Sequence, residues 1–253
     1  MLESQLPRYF PSADELPDSD ETPVDNELQE LIPGLLKAIL LILWSERMDW
    51  FFGIDMGIYY DPDLPPIVPD GFLSLGVERF YDEELRPSYV LWDENVIPIL
   101  ALEIVSQTYR KEYSTKLEQY AALGVLYYVI YSSRRRRKPR LEVYKLVNGK
   151  YELQTGNPVW LPEVGLGIDC ERGNYSGVTR EWLYWYNQEG KRYPTPQEWI
   201  LQETQRAQQE TQRAQQETQR AQQETQRAQQ ETQRAQKLAD KLRELGIDPD
   251  TVV

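Results

Sequence analysis

The sequence predicts a mixed α/β domain followed by a long helical tail, and three observations carry that prediction. An apolar, β-branched run from Ile97 to Val105 precedes a helical stretch over about 110–123 and a second apolar run from Val125 to Ser132. Strand, helix and strand in that order form a crossover, which sets its two strands parallel in one sheet. Asn148-Gly149 separates Leu141–Leu146 from Tyr151–Gln154, the signal of a tight hairpin. QETQRAQ then repeats five times without change from Gln202 to Gln236, a seven-residue period that suits a helix.

The remaining elements follow in chain order. Residues 1–25 are acidic and rich in proline and serine, and read as an extended or disordered lead-in. Asp25 or Asn26 can cap a helix running to about Arg47, because Leu28, Leu31, Ile32, Leu35, Leu36, Ile39 and Leu43 recur at helical spacing. Pro33-Gly34 should loosen its first turns. Trp50–Tyr60 and Ile67–Leu75 read as two strands around the turn-formers 61-DPDLPP-66, and 78–96 as an acidic, aromatic loop. Residues 26–200 form the expected folded domain and 201–253 the helical tail. In the tail, Thr204 and Ala207 and their equivalents occupy the a and d positions, a seam that buries little area. Arg206 stands four residues before Glu210, so the two can pair along the helix. An exposed stalk and a weak homo-oligomeric coiled coil both fit this tail.

Composition closes off several chemistries. The 253 residues carry a net charge of -13 and contain no histidine and one cysteine, Cys170. Nine acids and one base lie in the first 30 residues, a net of -8. Zinc sites built on histidine and His-based triads are excluded. Acid–base and metal chemistry must use Asp, Glu, Lys or Tyr, whose oxygens suit Mg²⁺ or Mn²⁺. A single cysteine fits a reducing compartment. The first 25 residues lack the apolar core of a secretory signal, and 35-LLKAILLILW-44 is too short to span a bilayer, so a cytoplasmic protein away from the membrane is expected.

Glu103 is a misfit inside the apolar run 97-IPILALEIV-105. An isolated buried carboxylate is costly, so Glu103 must be paired, protonated or bound to a cation. Alternation puts Ile97, Ile99, Ala101, Glu103 and Val105 on one face of the strand. Pro69-Asp70 falls in an earlier predicted strand, and Lys116 and Tyr120 lie one turn apart on the helix that follows Glu103. If the strand of Asp70 lies beside that of Glu103, the two carboxylates can share one divalent ion, and Lys116 can reach over it. That arrangement suits metal-dependent phosphodiester hydrolysis. Bland readings compete. Asp70 can be a turn residue, Glu103 can pair with a structural cation, and Lys116 can pair with Glu112 one turn back. Glu27, Glu30 and Asp55 are further possible ligands, with a solvated surface as the alternative.

Residues from about 50 to 155 resemble the Uma-type restriction-endonuclease family, a bacterial branch of the PD-(D/E)XK nucleases. The residues that carry the resemblance are 66-PIVPDGFLSLGV-77, 102-LEIVS-106, 115-TKLEQYAALGVLYYVIY-131 and the tail closing in 241-KLRELGIDPD-250. The resemblance implies a restriction-endonuclease-like α/β/α core. It also implies that Asp70 and Glu103 are metal-binding acids and that the Ile104 carbonyl is a further ligand. By the same resemblance, Val105 stands where the superfamily usually has its lysine, and Lys116 on the next helix would take that lysine's place.

The basic cluster 134-RRRRKPR-140 supplies Arg134, Arg135, Arg136, Arg137, Lys138 and Arg140. It can grip DNA phosphates in a salt-dependent way or keep a sheet edge soluble. The expectation is therefore a Mg²⁺- or Mn²⁺-dependent DNA endonuclease that can act as a homodimer. The alternative is a catalytically silent nuclease fold used as a binding or assembly module.

Overall fold

The computed structural model describes residues 9–12, 15–16, 27–80, 85–105, 114–133, 135 and 139–246. Most of the expected lead-in, Glu112, four members of the basic cluster (Arg134, Arg136, Arg137 and Lys138) and the end of 241-KLRELGIDPD-250 lie outside them. The chain divides into two compact units, Met1–Pro196 and Gln197–Val253.

The first unit is built on a mixed six-stranded sheet. Helix α1 (Glu27–Leu43) precedes β1 (Trp50–Ile54), β2 (Ile58–Tyr59), β3 (Gly71–Leu75), β4 (Tyr89–Val90) and the short α2 (Leu91–Glu94). The crossover follows as β5 (Leu100–Ile104), α3 (Thr115–Leu123) and β6 (Tyr127–Tyr131), and then the hairpin β7 (Leu141–Val147) and β8 (Lys150–Gln154). The main sheet runs β1-β3-β5-β6-β7-β8. β5 and β6 are parallel, with Glu103 opposite Ile130, as a crossover requires. At the hairpin turn Asn148 and Gly149 have φ of 48° and 79°, the pair of positive values that a type I′ turn needs.

Alternation along β5 divides the core. Leu100, Leu102 and Ile104 join α1, Phe52, Leu73, Tyr127 and Val129 on one face. Ala101 and Val105 join Tyr120, Tyr128 and Ile130 beneath α3 on the other. Glu103 therefore points to the α3 side. Gly124 ends α3 with a left-handed φ of 88° that a side chain rarely adopts.

The α1 face has a second covering layer. β9 (Val159–Leu161), β10 (Leu166–Tyr175) and β11 (Val178–Tyr186) make a three-stranded antiparallel sheet. Its Trp182, Leu183, Tyr184 and Trp185 are fully buried, and the Trp185 indole donates to the Leu36 carbonyl at 3.1 Å. The expected α/β/α sandwich is thus altered. One outer layer is α3, and the other is shared between α1 and this small sheet.

Local corrections follow from backbone geometry. Trp50–Tyr60 is two strands, because Asp55 turns the chain with a φ of 48°. α1 tolerates Pro33 within a continuous helix and ends at Leu43 rather than near Arg47. Asp70 precedes β3 instead of lying within a strand. The 78–96 region holds β4 and α2.

Gln197–Val253 contains nearly all of one helix, α4 (Pro196–Glu244). Every side chain of the five repeats is exposed. In each repeat the threonine hydroxyl donates to the carbonyl four residues back, from Thr204 to Ile200 at 2.8 Å through Thr232 to Ala228 at 2.8 Å. Arg206 pairs with Glu203, three residues before it, at 3.0 Å, not with the expected Glu210. Among the described residues, no helix is long and apolar enough to cross a membrane.

Candidate active site

β3 runs antiparallel to β5 with Gly71 opposite Leu102. The residue before Gly71 therefore meets the end of β5, where Glu103 and Ile104 lie. The Ile104 backbone N–H donates to Asp70 Oδ2 at 2.5 Å, and Gln29 Nε2 of α1 donates to Asp70 Oδ1 at 3.2 Å. Gly71 makes room for this approach. A Cβ there would lie 3.2 Å from both the Pro33 side chain and the Phe52 ring, tighter than ordinary packing.

Glu103 is 2% exposed. Lys116 Nζ donates to Glu103 Oε1 at 2.9 Å and to Oε2 at 2.8 Å, and the Tyr120 hydroxyl donates to Oε1 at 2.9 Å. Lys116 also donates to the Val68 carbonyl at 3.2 Å, which ties the segment before Asp70 to the same carboxylate. The spacing of four residues puts Lys116 and Tyr120 on one helix face, so a single rigid element delivers both donors. The misfit in the apolar run is thus matched by an ammonium and a phenol.

Burial, and next the charge of Glu103, push the Asp70 carboxyl up to about 8; Asp55 adds to the rise, and the Ile104 N–H and Lys116 oppose it. A carboxyl group pushed up by burial and by a neighbouring carboxylate favours a proton or a cation beside it. Burial, and then Glu103, also hold the Tyr120 hydroxyl well above its usual range, so it remains a donor.

The donor chemistry suits a hard divalent ion. Among the described residues there is no group of three or more His, Cys, Asp or Glu side chains that could hold a metal. Two carboxylates completed by carbonyl and water oxygens match Mg²⁺, which keeps several of its waters.

Other sequence candidates lie in different surroundings. Asp55 is exposed beside the site, and its backbone N–H donates to the Asp70 carbonyl at 3.4 Å. Glu27 and Glu30 are exposed. Gln29, between them, is the α1 side chain that reaches Asp70. Sequence reasoning missed it, because an amide at a helix position carries no pattern of its own. Of the basic cluster, Arg135 pairs with Glu142 at 2.5 Å and Arg140 with Glu181 at 3.2 Å, so these two charges are matched within the fold.

No curated protein matches the chain. Among solved structures, the chain is similar to one titled "Crystal structure of a putative nuclease belonging to DUF820 from Anabaena variabilis ATCC 29413 at 1.96 A resolution". The likeness has a TM-score of 0.42 and 11% identity, over 56% of this chain and 75% of that one. The model of the Uma2 family, described as "Putative restriction endonuclease", matches residues 20–171, a span that contains Asp70, Glu103, Lys116 and Tyr120. The chain belongs to the Uma2 family.

Proposed function

We propose that the chain is a divalent-metal-dependent DNA endonuclease with Asp70 and Glu103 as its acidic pair. The observation that carries this reading is the convergence of the half-buried Asp70 and buried Glu103 carboxyl groups from adjacent strand ends, with Lys116 bridging Glu103 and the Val68 carbonyl. Family membership supports the nuclease chemistry.

Asp70, Glu103 and the Ile104 carbonyl would hold Mg²⁺ or Mn²⁺, which lowers the pKa of a bound water and offsets charge on the phosphate. Tyr120 fixes the orientation of Glu103. Gln29 and the Ile104 N–H fix that of Asp70. Lys116 neutralises Glu103 before the ion arrives. With a divalent ion held by the two acids, the Lys116 ammonium would be left to hold a phosphate oxygen near them. This division of labour explains how a lysine on α3 can serve where Val105 occupies the usual position.

The test is nicking of supercoiled plasmid by wild type, Glu103→Gln and Asp70→Asn in millimolar Mg²⁺ or Mn²⁺. Cleavage by wild type alone, abolished by EDTA, is the expected result. Folded wild type that binds DNA and never cleaves it under these conditions would overturn the reading in favour of a silent assembly module.

A further inference from the structure

A cavity of about 250 Å³ is lined in part by Phe51, Gly53 and Ile54 of β1, and neither Asp70 nor Glu103 lines it. Lys37 of α1, Arg79 and Arg86 line it, together with Phe51, Met56 and Leu85. Three cations around one small cavity are unexpected in a chain whose net charge is -13.

Their partners differ. Arg86 is 7% exposed, forms an ion pair with Glu94, donates to the Glu78 carbonyl at 3.1 Å and lies 4.4 Å from the Phe51 ring centroid. Arg79 lies between two aromatic faces, 4.0 Å from the Trp50 centroid and 4.7 Å from that of Phe80. Among the described residues, neither Arg79 nor Lys37 has a carboxylate partner. Burial, and then Arg79, push the Lys37 ammonium down from its usual range. Burial, and then Arg86, do the same to Arg79. Like charges crowded into a half-buried cavity destabilise one another, and an anion placed between them reverses the sign of that interaction. The aromatic faces hold the Arg79 guanidinium in place before any anion arrives.

We propose that this cavity is a binding site for a phosphate monoester, with Lys37 and Arg79 taking the phosphate and Met56 and Leu85 flanking its organic group. Arginine and lysine are the residues that bind phosphate oxygens, arginine through its planar fork. The volume falls just below the roughly 300–1,000 Å³ of pockets for drug-sized ligands, which suits a small ester such as a mononucleotide. The same phosphate chemistry can come from a free nucleotide or from the 5′ end of a DNA strand.

The experiment is calorimetric titration of the full chain without metal, using thymidine 5′-monophosphate, inorganic phosphate, and a short single strand with a 5′-phosphate or a 5′-hydroxyl. The monophosphate should bind, less tightly as salt rises, and Lys37→Gln with Arg79→Gln should weaken it at least tenfold. Arg79→Lys should retain part of the affinity. A strand that binds through its 5′-phosphate, and not through a 5′-hydroxyl, identifies the strand end as a source. Equal affinity for the mononucleotide identifies the free ester. Glu103→Gln should leave this binding unchanged, which separates the cavity from the nuclease reading. Thermal unfolding gives a second readout: Lys37→Gln should keep or raise the midpoint of the free protein, because it removes a repelled charge. No monophosphate binding by wild type, binding unaffected by the double substitution, or binding lost in Glu103→Gln would each overturn the proposal. So would a lowered midpoint in Lys37→Gln, which would mean that the lysine is already paired.

Discussion

Glu103–Lys116 and Glu203–Arg206 are both ion pairs of an acid and a base, and the fold treats them in opposite ways. The Glu103 side chain is 3% exposed and that of Lys116 27%, and Tyr120 and the Val68 carbonyl complete the arrangement. The Glu203 and Arg206 side chains are 47% and 70% exposed and stand alone on a helix surface. The difference teaches that a charge pattern does not reveal its own importance. The tail repeats its charges five times at little cost, whereas the single acid in the apolar run had to be matched by donors from another element.

The largest expected effect breaks the buried pair. Lys116→Ala leaves the Glu103 carboxylate without its cation, and removing one partner of a buried pair costs on the order of 3–5 kcal/mol. Chemical denaturation should show that loss without metal, and saturating Mg²⁺ should restore part of it. If Mg²⁺ restores nothing, the cation and the lysine do not share Glu103.

A graded effect concerns pH. The folded Asp70 carboxyl titrates near 8 against an ordinary value of 3.8. Between those values the folded state holds more protons than the unfolded chain. Asp70 thus contributes stability that is present below about pH 4 and is lost as pH rises towards 8, with a slope of at most about 1.4 kcal/mol per pH unit. Unfolding of metal-free wild type and Asp70→Asn across pH 5–8.5 checks this: the variant should lose the slope. Metal should flatten it in wild type by favouring the charged carboxylate.

Smaller again is Gly71→Ala. The added Cβ crowds Pro33 and Phe52, and overpacking of this kind costs about 1–3 kcal/mol. Pushing α1 away should also weaken the Gln29 contact to Asp70, so cleavage should fall more than stability alone explains. Glu203→Ala should do least, leaving both the unfolding midpoint and plasmid cleavage as they are. A measurable change there would mean that the tail pair matters more than its exposure suggests.

Much of the candidate site's geometry was legible because its residues violate local expectation. Glu103 interrupts an apolar strand, and Lys116 and Tyr120 share a helix face at a spacing of four. Their convergence with Asp70 needed only one further fact, that β3 lies beside β5. Gln29 was not legible, since its role depends on how closely α1 approaches β3 over Gly71. Nor was the sheet β9–β10–β11. Much of β10 from Glu171 onwards is polar and exposed, so it has no clean alternation, and β11 buries consecutive residues from Trp182 to Tyr186. The break at Asp55 was hidden too, because a left-handed residue between two apolar runs reads as one continuous strand.

Thermal unfolding of wild type and Glu103→Gln with and without millimolar Mg²⁺ tests the central claim most directly. A ligand that binds only the folded state stabilises it by about 2.7 kcal/mol at a hundred times its dissociation constant. A raised midpoint in wild type, and none in Glu103→Gln, is the result the acidic pair predicts. An equal response in both proteins, or none in either, would contradict it and leave Glu103 as a carboxylate held only by Lys116 and Tyr120.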